Sequence, residues 1–164
     1  MRPKTATVLL WLFVMNLGIA FGAGLYEARI ALPRWIVSSP NSETHWNAAA
    51  AREDDTGIRF WAFVTTGPLT LLTLANLVAA WRAPASVRKW WLGASLTALA
   101  DRVLTAGYFI PTMVGLMAAP DSPESVASAV LWQKLNYLRH VILLVAWVAA
   151  LKTFALAYQH RSAT

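Results

Sequence analysis

The stretch WQKLNYLRHVILLVAWVAALKTF, residues 132–154, begins like the surface of a soluble helix and ends like the inside of a membrane. Its second half is apolar over several turns, whereas its first half carries Asn136, Arg139 and His140. At about 100° per residue, these three side chains fall with Trp132 in one arc of a helix. The stretch therefore predicts a membrane-spanning helix with one polar face that points toward other helices.

Composition extends this interpretation to the whole chain, because 57% of the residues are hydrophobic and only 13% are charged. A helix needs about 20 residues to cross a hydrocarbon core of about 30 Å. Four apolar blocks reach that length: residues 6–26, 60–81, 90–117 and 130–158. The first is too long for the apolar region of a signal peptide, about 7 to 15 residues. The predicted fold class is all-α, with one four-helix transmembrane bundle over residues 1–164.

The charges are distributed asymmetrically about the four predicted spans. Positive residues near span ends are retained in the cytoplasm, and on one side lie Arg2, Lys4, Arg82, Arg88, Lys89, Lys152 and Arg161. The acidic residues of the other side are Glu43, Glu53, Asp54, Asp55, Asp121 and Glu124. Both termini are therefore predicted to be cytoplasmic, in a bacterial inner membrane. This asymmetry explains the net charge of +6, and no nucleic-acid partner is expected, since no basic stripe or recognition motif is present.

The longer first loop is predicted to lie outside and to cover the bundle. In SPNSETHWNAAAARE, Asn41 and Ser42 can cap a helix and strong helix formers follow. A short interfacial helix bearing His45 and Trp46 would close a pocket below it. An ordinary solvated loop is the alternative. Most tryptophans, Trp35, Trp61 and Trp91 among them, are interpreted as an anchoring belt at the membrane boundaries.

Several chemistries are disfavoured by the residue types present. The chain has no cysteine, which excludes thiol-disulfide chemistry. Haem bound by two histidines is poorly supported, because His45, His140 and His160 lie in a loop, a span and a tail. A metal site would require His45 or Glu27 to meet His140, and the familiar ligand spacings are missing. No metal site is predicted, and the cofactor is left unknown.

Every predicted span carries a polar stripe. These stripes comprise Asn16, Ala20, Ala23 and Glu27 in the first span, Thr66, Thr70, Thr73 and Asn76 in the second, and Asp101, Thr105, Tyr108 and Thr112 in the third, with Arg102 on its flank. Pro68 is expected to bend the second helix and to free a carbonyl. Gly18 and Gly22 form a pair suited to close helix contact. This contact is expected either within one chain or between two copies, so a homo-oligomer is one of the two alternatives.

Asp101, Arg102, Arg139 and His140 lie at one depth. With a rise of about 1.5 Å per residue, all four are about 15 Å deep, near the middle of the bilayer. A charge there that faces lipid costs at least about 2.5 to 3.5 kcal/mol. The four side chains are therefore expected to point inward. Asp101 and Arg139 are expected within salt-bridge or one-water distance of each other, with Arg102 as the alternative partner of Asp101.

This cluster permits two functional interpretations. In the first, His140 is a base, Asp101 orients it, and Arg139 stabilises an oxyanion, with Tyr108 completing a catalytic set. The ligand-binding residues are then Glu27, Arg102, Trp132, Asn136, His45 and Trp46. In the second interpretation, the charges form an ion-pair lock in a non-enzymatic binding, transport or accessory protein.

Three motifs, GAGLYEARIALPRW, RVLTAGYFIPTMVGL and WQKLNYLRH, resemble a bacterial branch of the small four-helix membrane family that includes the fungal anthrone oxygenases. The resemblance covers nearly the whole chain. It implies a four-helix bundle and, for some members, oxidation of an aromatic polyketide without an obvious cofactor. Trp132, Asn136 and Arg139 are the residues that it carries over. The predicted function is a membrane-embedded oxidoreductase that acts on a hydrophobic, aromatic or quinone-like molecule in a pocket open to the outer side.

Overall fold

The computed structural model of the protein describes residues 3–39 and 43–162, and nearly all of them are helical. Consecutive helical elements join into four long rods. They are α1 (Pro3–Tyr26), π1 (Glu27–Ala31) and α2 (Leu32–Trp35) in rod 1; π2 (Gly57–Thr66) and α4 (Pro68–Trp81) in rod 2; α5 (Ala85–Leu104), π3 (Thr105–Phe109) and α6 (Ile110–Ala118) in rod 3; and α7 (Pro123–Ser162) as rod 4. Between rods 1 and 2 lie β1 (Ile36–Ser38), β2 (Thr44–Trp46) and α3 (Ala48–Asp54).

Three of the four rods contain helices that are long and apolar enough to cross a membrane. Within the described residues these stretches are Thr5–Trp35, Gly57–Trp81 and Pro123–Gln159, which is consistent with an integral membrane protein. Rod 3 is also long, but Asp101 and Arg102 lie at its middle and make it less apolar. The predicted third span is therefore a helix in the structure, but hydropathy alone does not select it as a membrane span.

The rods pack side by side in a ring. Helix α7 packs against α1 and α5, and α4 packs against the same two helices from the other side. Small and apolar side chains, among them Phe13, Leu69, Ala98 and Leu143, fill the middle of the bundle. Nearer the chain termini, the Asn76 amide donates to the Leu9 carbonyl oxygen at 3.1 Å and accepts from Trp91 Nε1 at 3.0 Å. Trp91 is therefore a buried link between rods and not part of an anchoring belt.

Each π-helical segment ends two residues before a proline, namely Pro33, Pro68 and Pro111. A proline in a helix cannot donate a backbone hydrogen bond, and its ring crowds the carbonyl four residues earlier. The backbone accommodates the proline with a wider turn that contains one extra residue, as in the hydrogen bond from Gly67 N to Ala62 O. The Val64 carbonyl, four residues before Pro68, accepts instead from Asn16 Nδ2 at 2.9 Å. The prediction that Pro68 frees a carbonyl is confirmed.

The loop between rods 1 and 2, residues 36–56, is called the outer loop after its predicted side, and it differs from its prediction. A short helix forms there, but it begins after Asn47, whose side chain accepts a hydrogen bond from Ala50 N at 3.0 Å. The prediction that His45 and Trp46 belong to this helix is wrong, since both lie in β2, which pairs antiparallel with β1. The predicted caps Asn41 and Ser42 lie outside the described residues. The same holds for Arg2 and for the side chains of Lys4, His160 and Arg161.

Hydrogen bonds join the outer loop to the end of rod 3. Trp46 Nε1 donates to the Leu116 carbonyl oxygen at 2.8 Å, and the Arg52 guanidinium donates to the Met117 carbonyl oxygen. Asp121 accepts from Trp46 N at 2.9 Å and pairs with His45 Nδ1 at 2.9 Å. The bond from Trp46 N, with the contact to His45, lowers the pKa of Asp121 below its usual value. The loop is therefore attached over the bundle rather than free in solvent.

Glycines in α1 permit close contact with α7. A Cβ at Gly18 would lie 3.1 Å from the Trp147 ring, and one at Gly24 would lie 2.3 Å from His140 Nε2. Gly22, which the sequence paired with Gly18, has open space around it. The close helix contact is thus made within the chain, by Gly18 and Gly24.

Candidate functional site

A cavity of about 330 Å³ lies in the half of the bundle next to the outer loop. Its volume falls in the range of small-molecule pockets, about 300 to 1,000 Å³. Side chains from all four rods line it. The polar ones include Glu27, Thr56, Thr65, Arg102, Thr105 and Arg139, and the aromatic ones are Trp35, Trp61, Phe109 and Trp132.

Glu27 forms the acidic part of the cavity wall. It is the first residue of π1 and is buried. Its Oε1 atom accepts hydrogen bonds from Thr56 Oγ1 and from Trp61 Nε1, each at 2.7 Å. Both donors stabilise a carboxylate, and they also attach the beginning of rod 2 to the end of α1. One oxygen is therefore held by protein donors, while the carboxylate faces the cavity.

Arg139 lies against two aromatic rings. Its Cζ atom is 4.8 Å from the centroid of Phe109 and 5.9 Å from that of Trp61, within the range of a cation–π interaction. The side chain is only 8% exposed. Within the part of the chain that the structure describes, no carboxylate forms an ion pair with it, and its Nε finds no acceptor. The rings hold the guanidinium in place while its N–H groups stay available to a ligand.

Asp101 pairs with its neighbour in sequence. Its Oδ2 atom accepts from Arg102 Nε at 2.9 Å and also from Arg102 Nη2. Among the described residues, the direct ion pair of Asp101 is formed with the alternative partner Arg102 and not with Arg139. The two side chains leave the same turn of α5, so the long arginine side chain reaches back to the carboxylate without help from another helix. Among the described residues, Asp101 Oδ1 and Arg102 Nη1 are buried without a hydrogen-bond partner. Of these two residues, Arg102 lines the cavity and Asp101 does not.

His140 and Asn136 are buried outside the cavity lining. The His140 ring lies against Gly24, and neither ring nitrogen has a hydrogen-bond partner within the described residues. The Asn136 amide is likewise without a partner. From the motif WQKLNYLRH, only Trp132 and Arg139 reach the cavity. The polar arc of α7 is therefore divided, with Arg139 turned toward the cavity and His140 toward α1.

Tyr108 does not line the cavity, because π3 changes the register of rod 3. The extra residue in its wide turn rotates the following side chains around the helix axis. Phe109 and Met113 therefore face the cavity in place of Tyr108 and Thr112. Tyr108 packs edge-on against Phe109, with ring centroids 5.2 Å apart.

His45 and Trp46 also lie away from the cavity. Trp46 is buried under the loop, and His45 is half-exposed beside Asp121. The outer loop contributes Asp55 and Thr56 to the lining instead. Across the described ranges, no group of three or more His, Cys, Asp or Glu residues is arranged to hold a metal ion.

The lining residues that escaped the sequence interpretation include Trp35, Thr56, Trp61 and Phe109. Trp35 and Trp61 were interpreted as membrane anchors, and their role as hydrogen-bond donors was therefore not predicted. Trp35 Nε1 donates to Asp54 at 2.7 Å, and Trp61 Nε1 donates to Glu27. Pro111, which lies within the predicted polar stripe between Tyr108 and Thr112, was the one signal that the helix is disturbed near Phe109.

No family model, curated protein or solved structure matches this chain. The resemblance to the family of the anthrone oxygenases therefore stays a prediction. The chemistry of the site has to be inferred from its own residues. They form a mostly apolar cavity with aromatic walls, two carboxylates, Glu27 and Asp55, and two guanidinium groups.

Proposed function

We propose that the protein binds a hydrophobic, aromatic or quinone-like small molecule in this cavity, within the membrane. The observation that carries the proposal is Arg139, a buried guanidinium that lies against two aromatic rings and pairs with no carboxylate of the described residues. A buried charge without a partner is costly, and an acceptor oxygen on a ligand would satisfy it. Aromatic walls with a few convergent polar groups are typical of small-molecule sites.

The same geometry suggests how such a molecule would be oriented. A planar ring packs well against Trp61 and Phe109, since aromatic pairs favour stacked or edge-on contact. An oxygen of the ring would accept from Arg139, and Arg102 lies on the same wall. A hydroxyl on the other side of the ring would donate to Glu27.

A second candidate function is cofactor-independent oxygenation, and Glu27 is the observation that favours it. A carboxylate beside a bound aromatic ketone such as anthrone can accept the proton of the CH₂ group between the rings. Arg139 would stabilise the negative oxygen of the anion. Molecular oxygen is the oxidant: one of its atoms becomes the new carbonyl oxygen, and the other leaves as water. In this proposal Glu27, rather than His140, is the base.

The test of both functions compares wild-type protein with Glu27→Gln in lipid nanodiscs. Anthrone is expected to quench tryptophan fluorescence saturably in both proteins, because glutamine keeps the acceptor for Thr56 and Trp61. If the protein is an oxygenase, oxygen uptake by the variant should fall by about 10²- to 10⁴-fold, the usual contribution of a general base. Glu124→Gln, which removes an exposed carboxylate, is the control. Saturable quenching without oxygen uptake in wild type would reject the oxygenase, and absence of saturable quenching would reject the binding site.

The orientation is part of the proposal. Four rods that cross the bilayer, rod 3 included, would place both termini in the cytoplasm of a bacterial cell, as the positive charges near the span ends indicate. Rod 3 packs between α4 and α7, so these neighbours would shield its charged pair from lipid. Tags at residues 1 and 164 should be protected in intact cells, and a label at Ser42 should be accessible. Labelling of either terminus from outside the cell would reject the proposed orientation.

A further inference from the structure

The cavity has an open side between rods 2 and 3. Segment π2 packs mainly on α4 and α1, whereas α6 packs mainly on π3, α3 and α7. Rods 2 and 3 are therefore in close contact through α4 and α5 but separate toward the outer loop. Three apolar side chains at this gap line the cavity and are also exposed: Ile58 at 68%, Ile110 at 42% and Val114 at 63%.

The gap faces sideways rather than toward the outer solvent. Ile58 belongs to a stretch that is apolar enough to cross a membrane, and Val114 lies on the part of α6 below the loop. The loop itself is bonded to the end of α6 through the Leu116 and Met117 carbonyl groups. Exposed aliphatic side chains at that height would contact lipid acyl chains. A ligand that uses this gap would arrive from the bilayer and could leave a long apolar tail there.

The charges around the cavity favour a neutral head group. Asp101 already neutralises Arg102. Glu27 and Arg139 carry opposite charges on the cavity wall, and no ion pair joins them. Asp55, which is partly exposed, adds a further negative charge where the outer loop lines the cavity. A neutral head group that accepts from Arg139 and donates to Glu27 adds no charge to this wall, on which negative charge is already in excess. An anionic head group would add a net charge at a depth where charge is costly.

From this gap and this charge balance, and on the basis of the proposed binding function, we infer that the ligand is a neutral quinone- or quinol-headed lipid. Its ring lies in the cavity between Glu27 and Arg139, and its tail leaves between Ile58 and Val114 into the outer half of the bilayer. The cavity of about 330 Å³ accommodates the substituted ring, and the gap explains how a molecule much longer than the cavity is bound.

The experiment uses the absence of native cysteine. Val114→Cys is reconstituted in phosphatidylcholine nanodiscs and capped with N-cyclohexylmaleimide. Val103→Cys, which is exposed on α5 and does not line the cavity, receives the same cap as the matched control. The probe is a fully substituted benzoquinone with a ten-carbon tail, and binding is followed by tryptophan quenching with ligand concentration expressed per lipid. Capping at Val114→Cys should slow association by about tenfold, within the range that changes at one interface produce, and capping at Val103→Cys should not. Equal rates for the two capped proteins would overturn the lateral entry.

Two further probes test the head group and the tail. The same tail on a benzoate should bind more weakly than the quinone, and the same ring with a methyl group in place of the tail should bind at a rate that the cap does not change. Benzoate binding as tight as quinone binding would overturn the neutral head group. If the tailed quinone does not quench saturably in uncapped protein while anthrone does, the inference fails and the proposed function stands. If neither molecule binds, the proposed function itself fails.

A nitroxide attached at Val114→Cys gives a measurement that does not depend on a ligand. Dissolved oxygen should relax it more strongly than a polar nickel chelate, because the gap faces acyl chains. Stronger relaxation by the chelate would show a water-facing mouth and overturn the inference. A disulfide between two copies through this cysteine would overturn it as well, since a second chain would then cover the gap.

Discussion

Replacing Arg139 by methionine is expected to weaken binding of anthrone and of the tailed quinone by about 10- to 100-fold. Hydrogen bonds to charged groups contribute about 1.5 to 3 kcal/mol, and methionine has similar length but no N–H donor. Stability should not fall, because the variant removes a buried guanidinium that forms no ion pair with any residue that the structure describes. Tryptophan quenching in nanodiscs measures the affinity, and unfolding in sodium dodecyl sulfate measures the stability.

Two variants make this result specific. Arg139→Lys keeps the charge but loses the planar contact with Phe109 and Trp61, so its affinity should lie between those of wild type and Arg139→Met. Lys134→Met removes a cation from the exposed side of the same helix and should change nothing. Unchanged affinity in Arg139→Met, together with a large loss of stability, would identify Arg139 as part of a structural lock and reject the proposed site.

The second large effect is expected at the pair Asp101–Arg102. Replacing Asp101 by alanine should lower the free energy of unfolding by about 3 to 5 kcal/mol, because it leaves the buried guanidinium of Arg102 without its carboxylate. The double variant Asp101→Leu, Arg102→Met should recover most of this loss, since both charges are then removed together. Unfolding in sodium dodecyl sulfate, followed by tryptophan fluorescence, measures both quantities.

Removal of Arg139 is the control for this pair. If Asp101 were paired with Arg139, Arg139→Met would destabilise the protein and a further Asp101→Leu change would restore it. The observed geometry predicts no such rescue. The double variant at Asp101 and Arg102 should also bind anthrone more weakly, because it removes a donor from the cavity wall. A stable Asp101→Ala protein would contradict the assignment of this ion pair.

The burial of one arc of α7 was predictable from the sequence alone. Trp132, Asn136, Arg139 and His140 are all buried, whereas Lys134 is exposed. A helix turns by about 100° per residue whatever surrounds it, so the spacing of polar residues is enough to place them on one face. The direction of each side chain within that face was not predictable. It depends on what the neighbouring helix offers, and Gly24 of α1 provides the space that His140 occupies.

The register of rod 3 was predicted correctly as far as Thr105 and wrongly beyond it. A regular helix places Tyr108 and Thr112 with Asp101, but π3 adds a residue and brings Phe109 and Met113 to the inner face. Pro111 signals that the helix is disturbed. It does not say whether the backbone will kink, break or widen, because that choice depends on which arrangement the adjacent rods can pack against.

The sequence by itself determined the helical character of the chain, three helices apolar enough to cross a membrane, and which face of α7 is buried. These properties follow from local periodicity and hydropathy, which act within one helix. The tertiary structure alone decided that Asp101 pairs with Arg102, that Glu27 accepts from Thr56 and Trp61, and that Arg139 lies between two rings. The contacts of Glu27 and Arg139 join residues far apart in the chain, and the pair at Asp101 competes with partners on other helices. Their energies depend on distances of a few ångströms, which are set only when the rods pack.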